Sequence, residues 1–378
     1  MRVLHSAAFL NPTTGILNQM EGERQAALAL GGHWEVGLFC PACFECDLPT
    51  LVSYRDLGKW PEWLCSIRKV LRWILLRVKY HLWLYSRKDI DVYVLRYGVH
   101  DPFQMLFTWL SKKPVYFLHH TLEVPELRQA GRLSAWIRTP LERCLGPLSI
   151  KGAQGVIGVT PEIAEYERKR ACSRRGISHV YPNGILYGPP VAEDRRAGRQ
   201  EWIFVASYFY PWHGLDLLLN ALRESNHDVV LHVVGKVSDD DRAIALRDKR
   251  VVLHGMLSSE EIRDLSGQCC LGLSSFALNR KGMREACTLK VREYLRMGLP
   301  VAAGHKEVFP EEFPYFCDSG VNMGALFSFS TGVQDVSRSL VSEAARPYID
   351  KTVLLAGLVR AIASDCGRDS SKDFGLLS

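Results

Sequence analysis

The stretch from Glu285 to Val301 leaves the fewest structural options of any in this 378-residue chain. Thr288 suits an N-cap, because its hydroxyl can accept from the orphan amides of a first helical turn. Leu289, Val291, Tyr294 and Leu295 place apolar residues at mixed helical spacing. Gly298 is positioned to end that helix in a left-handed conformation, and Pro300 bars its continuation. Val301-Ala302-Ala303 then reads as a short buried strand. The unit is loop, helix, strand, with the helix N-terminus facing out.

Such an N-terminus favours anions, through its unpaired amides and its dipole. Lys290 adds a positive charge at the amides of Thr288, Leu289 and Lys290. Glu285 precedes the first turn and Glu293 lies more than a turn inside. Eight residues of helix would separate the two carboxylates by roughly 12 Å. That is the length scale of a sugar–diphosphate–ribose unit. One carboxylate would hold sugar hydroxyls and the other ribose hydroxyls, with the diphosphate on the amides between them.

Glu285-x7-Glu293, followed by Tyr294-Leu-x-x-Gly-Leu-Pro-Val301, resembles the donor-site signature of retaining GT-B glycosyltransferases of the family 4 type. The variant Thr288-Leu-Lys-Val-Arg-Glu-Tyr294 is similar to enzymes that build bacterial surface polysaccharides. The resemblance implies an α/β chain of two Rossmann-like domains facing each other across a cleft. It implies a nucleotide-diphosphate sugar as substrate, no cofactor, no bound metal and retention of anomeric configuration. It is specific from about 201 to 301 and diffuse from 1 to 130.

Composition bounds the alternatives. Apolar content of 47% and charged content of 23% belong to a globular chain. A net charge of +6 is modest, and no nucleic acid is expected as partner. Met1-Arg-Val-Leu-His-Ser lacks the long apolar region of a signal peptide. No eighteen-residue uncharged apolar run reads as a membrane span. Eleven cysteines without a secretory signal point to free thiols in a cytoplasmic setting. Cys40, Cys43 and Cys46 have the spacing of part of a cluster site, but the next cysteine is Cys65, so a loop of free thiols is expected.

The first half opens with strand, glycine loop, helix and strand, the start of a Rossmann-like parallel sheet. The loop Asn11–Gly15 makes Gly15 a candidate for close backbone approach to a ligand. Pro114–His120 reads as a strand ending in two histidines, at the carboxyl end where ligands bind in such sheets. Alternation lets one of the pair face a site, and His120 is favoured; family members often carry a histidine facing the donor sugar here. Later, Thr160-Pro-Glu-Ile and Pro182-Asn-Gly also resemble the family. His213-Gly-Leu-Asp216 resembles its Lys-Gly-Ile-Asp segment, where a basic residue grips the donor diphosphate. The basic residue usually found shortly before that position is absent, and Lys290 is a substitute. Ser238-Asp-Asp-Asp241 reads as a solvated loop.

Between Lys59 and Arg96 nine Lys and Arg stand against three acids, an excess equal to the whole net charge. Residues 59–85 also hold four tryptophans, at 60, 63, 73 and 83. Indoles beside cations suit a bilayer interface with anionic lipid. This segment is therefore expected to dock on the inner face of a membrane.

The expected organisation is a first domain over 1–186, a linker over 187–200, a nucleotide-sugar domain over 201–345, and a terminal helix and tail over 346–378. The expected activity is transfer of a sugar from a nucleotide-diphosphate donor to a glycan or polyprenyl-diphosphate-linked acceptor. Two other readings use the same scaffold: a nucleotide-sugar epimerase, and a partner subunit without turnover.

Overall fold

A computed structural model describes residues 1–42, 48–57, 65–129, 133–171, 176–188 and 193–368. Cys43, Cys46, Lys59, Trp60, Trp63 and part of the expected linker lie outside these residues. The chain divides into two compact units: Met1–Tyr181 with Lys351–Ser378, and Pro182–Asp350.

Unit 1 contains β1 (Val3–Ala8), α1 (Thr14–Ala29), β2 (Trp34–Pro41), β3 (Leu51–Tyr54), α2 (Cys65–Ser86), β4 (Val92–Arg96) and α3 (Pro102–Leu110). It continues through β5 (Val115–His119), α4 (Glu123–Gln129), α5 (Leu133–Gly152), β6 (Gly155–Gly158), α6 (Pro161–Arg170) and β7 (Ile177–Val180). The sheet is parallel, in the order β3-β2-β1-β4-β5-β6-β7. Its central strands are largely apolar, as in Val92-Tyr-Val-Leu, because helices cover both faces of such a sheet; His5, Ser6 and His119 are the buried polar residues of β1 and β5. The order reverses between β1 and β4, which is a topological switch point.

Helix α2 corrects the expectation of a basic outer face. Leu76, Tyr80 and Leu84 are buried against the sheet. Arg72 pairs with Asp56 at 2.5 Å and Arg77 with Asp101 at 3.3 Å. Asp101 is buried and caps α3 through the amides of Phe103 and Gln104. A buried carboxylate requires a nearby cation, which draws Arg77 toward the protein. Trp73 packs against Phe103, and Trp83 lies beside Tyr80 and over Gly37. What α2 presents outward is mainly apolar, with Lys69 exposed beside it.

Unit 2 contains β8 (Gln200–Tyr208), α7 (Leu215–Glu224), β9 (Val229–Lys236), α8 (Asp239–Ala245), β10 (Val251–Gly255), α9 (Ser259–Ser266) and β11 (Leu271–Leu273). After these come α10 (Leu289–Arg296), β12 (Val301–Ala303), β13 (Phe316–Asp318), α11 (Met323–Val333) and α12 (Arg338–Ile349). Its parallel sheet has the order β10-β9-β8-β11-β12-β13, reversing between β8 and β11. Leu215, Leu218, Leu219 and Leu222 of α7 close over Phe204, Leu231 and Leu271 in one core. Ser238, expected in a loop, instead caps α8 by accepting from Asp241 N at 3.1 Å.

The termination expected for α10 is present in full. Gly298 has φ of 73°. Gly298 N donates to Leu295 O and Leu299 N to Tyr294 O, at 3.0 and 2.9 Å, the paired bonds of a Schellman end. Tyr294 is buried over Gly272 of β11, where an added Cβ would come within 2.6 Å of the ring. The Tyr294 hydroxyl accepts from Val205 N at 2.9 Å. These contacts fix α10 to the sheet at the strand-order reversal.

The chain enters and leaves unit 2 at one place: Ile185 forms a bridge with Asp350, and Ile185 N donates to Ile349 O. The final helix, α13 (Lys351–Asp365), belongs to unit 1. Its Asp365 carboxylate accepts from the Tyr116 hydroxyl and pairs with His179. The single terminal helix expected within 346–378 is thus the end of one helix and the whole of another, meeting at Asp350. Among the described residues no helix is long and apolar enough to cross a membrane.

Candidate functional site

In unit 2 the loops after β8 and β11 flank the switch point, where open parallel sheets bind ligands. The loop after β8 carries His213, and Phe276 N, from the loop after β11, donates to its carbonyl at 2.9 Å. His213 Nδ1 accepts from Tyr210 N at 2.9 Å. Burial, with Lys290 and Lys281 nearby, pushes the imidazole down to about 3. The ring is therefore neutral at pH 7, and with Nδ1 accepting, its proton sits on Nε2. His213 offers one N–H donor rather than a full charge.

Lys290 supplies the charge. Its Nζ is buried, has no hydrogen-bond partner among the described residues, and lies over the Phe204 ring at 5.4 Å. Burial lowers its pKa from 10.5 to about 8, so it remains largely protonated at neutral pH. Thr288 is the N-cap residue, but its own side chain makes no capping bond. This corrects the expected role of its hydroxyl, which lies 3.5 Å from Ser274 Oγ instead. Thr288 N is also engaged, donating to Glu307 Oε1 at 3.3 Å. The orphan amides that remain begin at Leu289 and Lys290.

A buried framework holds this first turn, and sequence reasoning missed most of it. Arg292 and Glu307, both without exposed side-chain surface, pair at 2.6 Å. Arg292 also donates to Thr288 O and to Asn183 O. Asn183 returns Nδ2 to Cys287 O at 2.7 Å. The Pro-Asn-Gly string therefore clamps the loop between Glu285 and α10. Its family likeness was the available signal; nothing in the sequence marks Arg292 as buried. Lys281, 4.1 Å above the Trp212 ring, was also missed. It brings a second cation near His213, where a basic residue had seemed to be lacking.

Glu285 is half-buried and anchored by a backbone bridge to Lys306. Glu293 is exposed on the second turn of α10. The structure thus collects His213, Thr288, Leu289, Lys290 and Glu293 around one helix start, with Glu285 on the loop leading to it.

His120 and Gly15 belong to unit 1. His119 is fully buried, stacked on Tyr97 and 3.3 Å from Glu123. Burial lowers its pKa to about 4 and, together with Glu142, raises that of Glu123 to about 8. His120, just past β5, is half-buried. Desolvation, then Arg96, His5 and Lys351, push its pKa well below the usual range. Nearby, Glu23 binds His5, Trp34 and Tyr181. Burial alone would raise this carboxyl, but His5 and Lys351 bring it to about 2. Gly15 lies within the first turn of α1 rather than in a loop, and an added Cβ there would meet nothing within 4 Å.

Residues 199–329 match the family model described as Glycosyl transferases group 1. That match makes residues 199–329 a glycosyltransferase domain. The matched domain carries His213, Glu285, Thr288, Lys290 and Glu293. Solved structures of similar fold include the lipopolysaccharide outer core galactosyltransferase WaaB, at 12% identity and TM-score 0.66 over 96% of this chain and 99% of that one. Sucrose-phosphate synthase from Thermosynechococcus elongatus aligns at 16% identity and TM-score 0.63, over 96% and 100%. Anabaena HepE in complex with UDP and glucose aligns at 15% identity and TM-score 0.58, also over 96% and 100%. At these identities the likeness establishes the fold, GT-B. No curated protein matches the chain in sequence.

Proposed function

We propose that this glycosyltransferase, of the retaining family 4 type, moves a sugar from a nucleotide-diphosphate donor to a glycan acceptor carried on a polyprenyl diphosphate, in the cytoplasmic assembly of a surface polysaccharide. The observation that carries the donor assignment is the Lys290 ammonium. It is buried, without a hydrogen-bond partner among the described residues, beside orphan amides and the His213 N–H. A diphosphate would bring the acceptor oxygens that this group lacks.

In this mechanism Lys290, the amides of Leu289 and Lys290, and His213 Nε2 stabilise negative charge growing on the leaving diphosphate. Glu293 holds the ribose and Glu285 the sugar hydroxyls. His120 is assigned a part in the chemical step. The acceptor hydroxyl attacks on the face the diphosphate leaves, which retains configuration. Each cation and N–H donor is fixed by the fold, so the stabilisation needs no reorganisation during reaction.

The test is mass spectrometry of products from UDP-, GDP- and dTDP-sugars, each with and without a lipid-linked acceptor. Acceptor-dependent transfer from one donor is the expected result. A rearranged nucleotide sugar formed without acceptor would make the chain an epimerase and overturn the proposal.

A further inference from the structure

Three helices of unit 1 turn apolar side chains outward. On α2, Ile67, Leu71, Ile74, Val78 and Leu82 recur three and four residues apart, and all are exposed, Leu82 by 63%. On α3, Leu106, Trp109 and Leu110 are exposed. On α5, Trp136 and Ile137 are exposed by 82% and 67%, with Leu141 and Leu148 following. The stripes adjoin. Tyr85 of α2 packs edge-on against Phe107 of α3 at 4.9 Å. Trp109 of α3 donates from Nε1 to Leu148 O of α5 at 3.0 Å. Single exposed apolar residues need no explanation, but a contiguous set over three helices marks a docking face.

Charge selects the occupant. Helices α2 and α3 contain no Asp or Glu. The one acid of α5, Glu142, is fully buried and paired with Arg170. On the flank of α5 a cavity of about 500 Å³ is lined by Arg128 and Arg143, together with Lys169, which pairs with Glu165, and Arg170, which pairs with Glu142 and Glu167. A second copy of the chain would set this basic surface against itself. An acyl phase edged by anionic headgroups answers both the apolar stripes and the cations.

We propose that the α2–α3–α5 face seats the enzyme on an anionic bilayer. The apolar stripes lie at the acyl boundary and the basic cavity lies at headgroup depth. Insertion of apolar side chains drives the contact, while Arg72 and Arg77 stay in their internal ion pairs. Every residue involved lies in unit 1, so the proposal stands or falls separately from the donor chemistry.

Sedimentation of the full chain with vesicles tests it, using equimolar phosphatidylcholine and phosphatidylglycerol against phosphatidylcholine alone. The protein should pellet with the anionic vesicles. Ile67→Ser, Leu82→Ser, Trp136→Ser and Ile137→Ser together should weaken that binding by more than about tenfold, with thermal unfolding unchanged because all four side chains are more than half exposed. Arg128→Glu with Arg143→Glu should remove the preference for anionic lipid. Undiminished pelleting of the serine variant would overturn the proposal, as would absence of wild-type binding. A concentration-dependent dimer abolished by the same four changes would also overturn it, assigning the face to a second copy.

Discussion

Replacing Lys290 by Met should stabilise the ligand-free protein and abolish its response to nucleotide. The ammonium is buried without a hydrogen-bond partner among the described residues, and its fall from 10.5 to about 8 corresponds to ~3 kcal/mol of charge penalty at neutral pH. The contact with the Phe204 ring returns ~1–2 kcal/mol. Met keeps the aliphatic stem and drops both terms, leaving ~1–2 kcal/mol in its favour. In a unit of this size that raises the melting temperature by roughly 2–8 °C. The gain should depend on pH in a defined direction. The folded lysine sheds its proton near 8 while the unfolded one holds it to 10.5, so wild-type stability rises between these values. The advantage of Lys290→Met should therefore be full below pH 8 and shrink above it. With a saturating nucleoside diphosphate, wild type should gain stability by mass action and the variant should not. Differential scanning fluorimetry with UDP, GDP, ADP and dTDP reads both effects. A variant no more stable than wild type when ligand-free, or one with an intact nucleotide shift, refutes the reasoning.

Other outcomes follow from the same geometry. Glu293→Ala should weaken nucleotide binding, since losing hydrogen bonds from a charged group costs about 1.5–3 kcal/mol; Glu285→Ala should mainly depress turnover, and calorimetry beside steady-state kinetics separates the two. His120→Ala should lower kcat with nucleotide affinity retained. Because its imidazole is held neutral, the wild-type rate should show no rise through pH 6.5 that this variant abolishes. Arg292→Met leaves the Glu307 carboxylate buried without its cation and should cost ~3–5 kcal/mol, seen as a lower denaturation midpoint; a loss below ~1 kcal/mol would count against the pairing.

The second unit was largely legible. The α10 helix, its Gly298 ending and the strand at Val301 follow from local rules of capping and φ, which act within a few residues. Lys290 could be placed at the helix start, but its loss of solvent depends on Phe204, far away in the chain. Arg292 was invisible for a related reason. An arginine in a polar helix reads as solvated until Glu307, Asn183 and Phe309 are known to surround it. In α2 the spacing revealed a helix but not which side meets the sheet. Composition pointed to a cationic outer face; Asp56 and Asp101, supplied by other segments, decided otherwise.

The meeting of Ile185 with Asp350 makes unit 2 an insertion with adjoining ends. A piece joined in this way can be lifted out, or exchanged for a homologous one, by two cuts made close together. On the proposed donor assignment, exchanging this cassette would change the sugar donor while the unit carrying the α2–α3–α5 face is kept. The first cut has a narrow tolerance. Asn183 clamps the loop before α10 from only two residues past Tyr181, so a splice must carry it with the cassette. A graft that begins after Asn183 would import a fold whose key loop has lost its anchor.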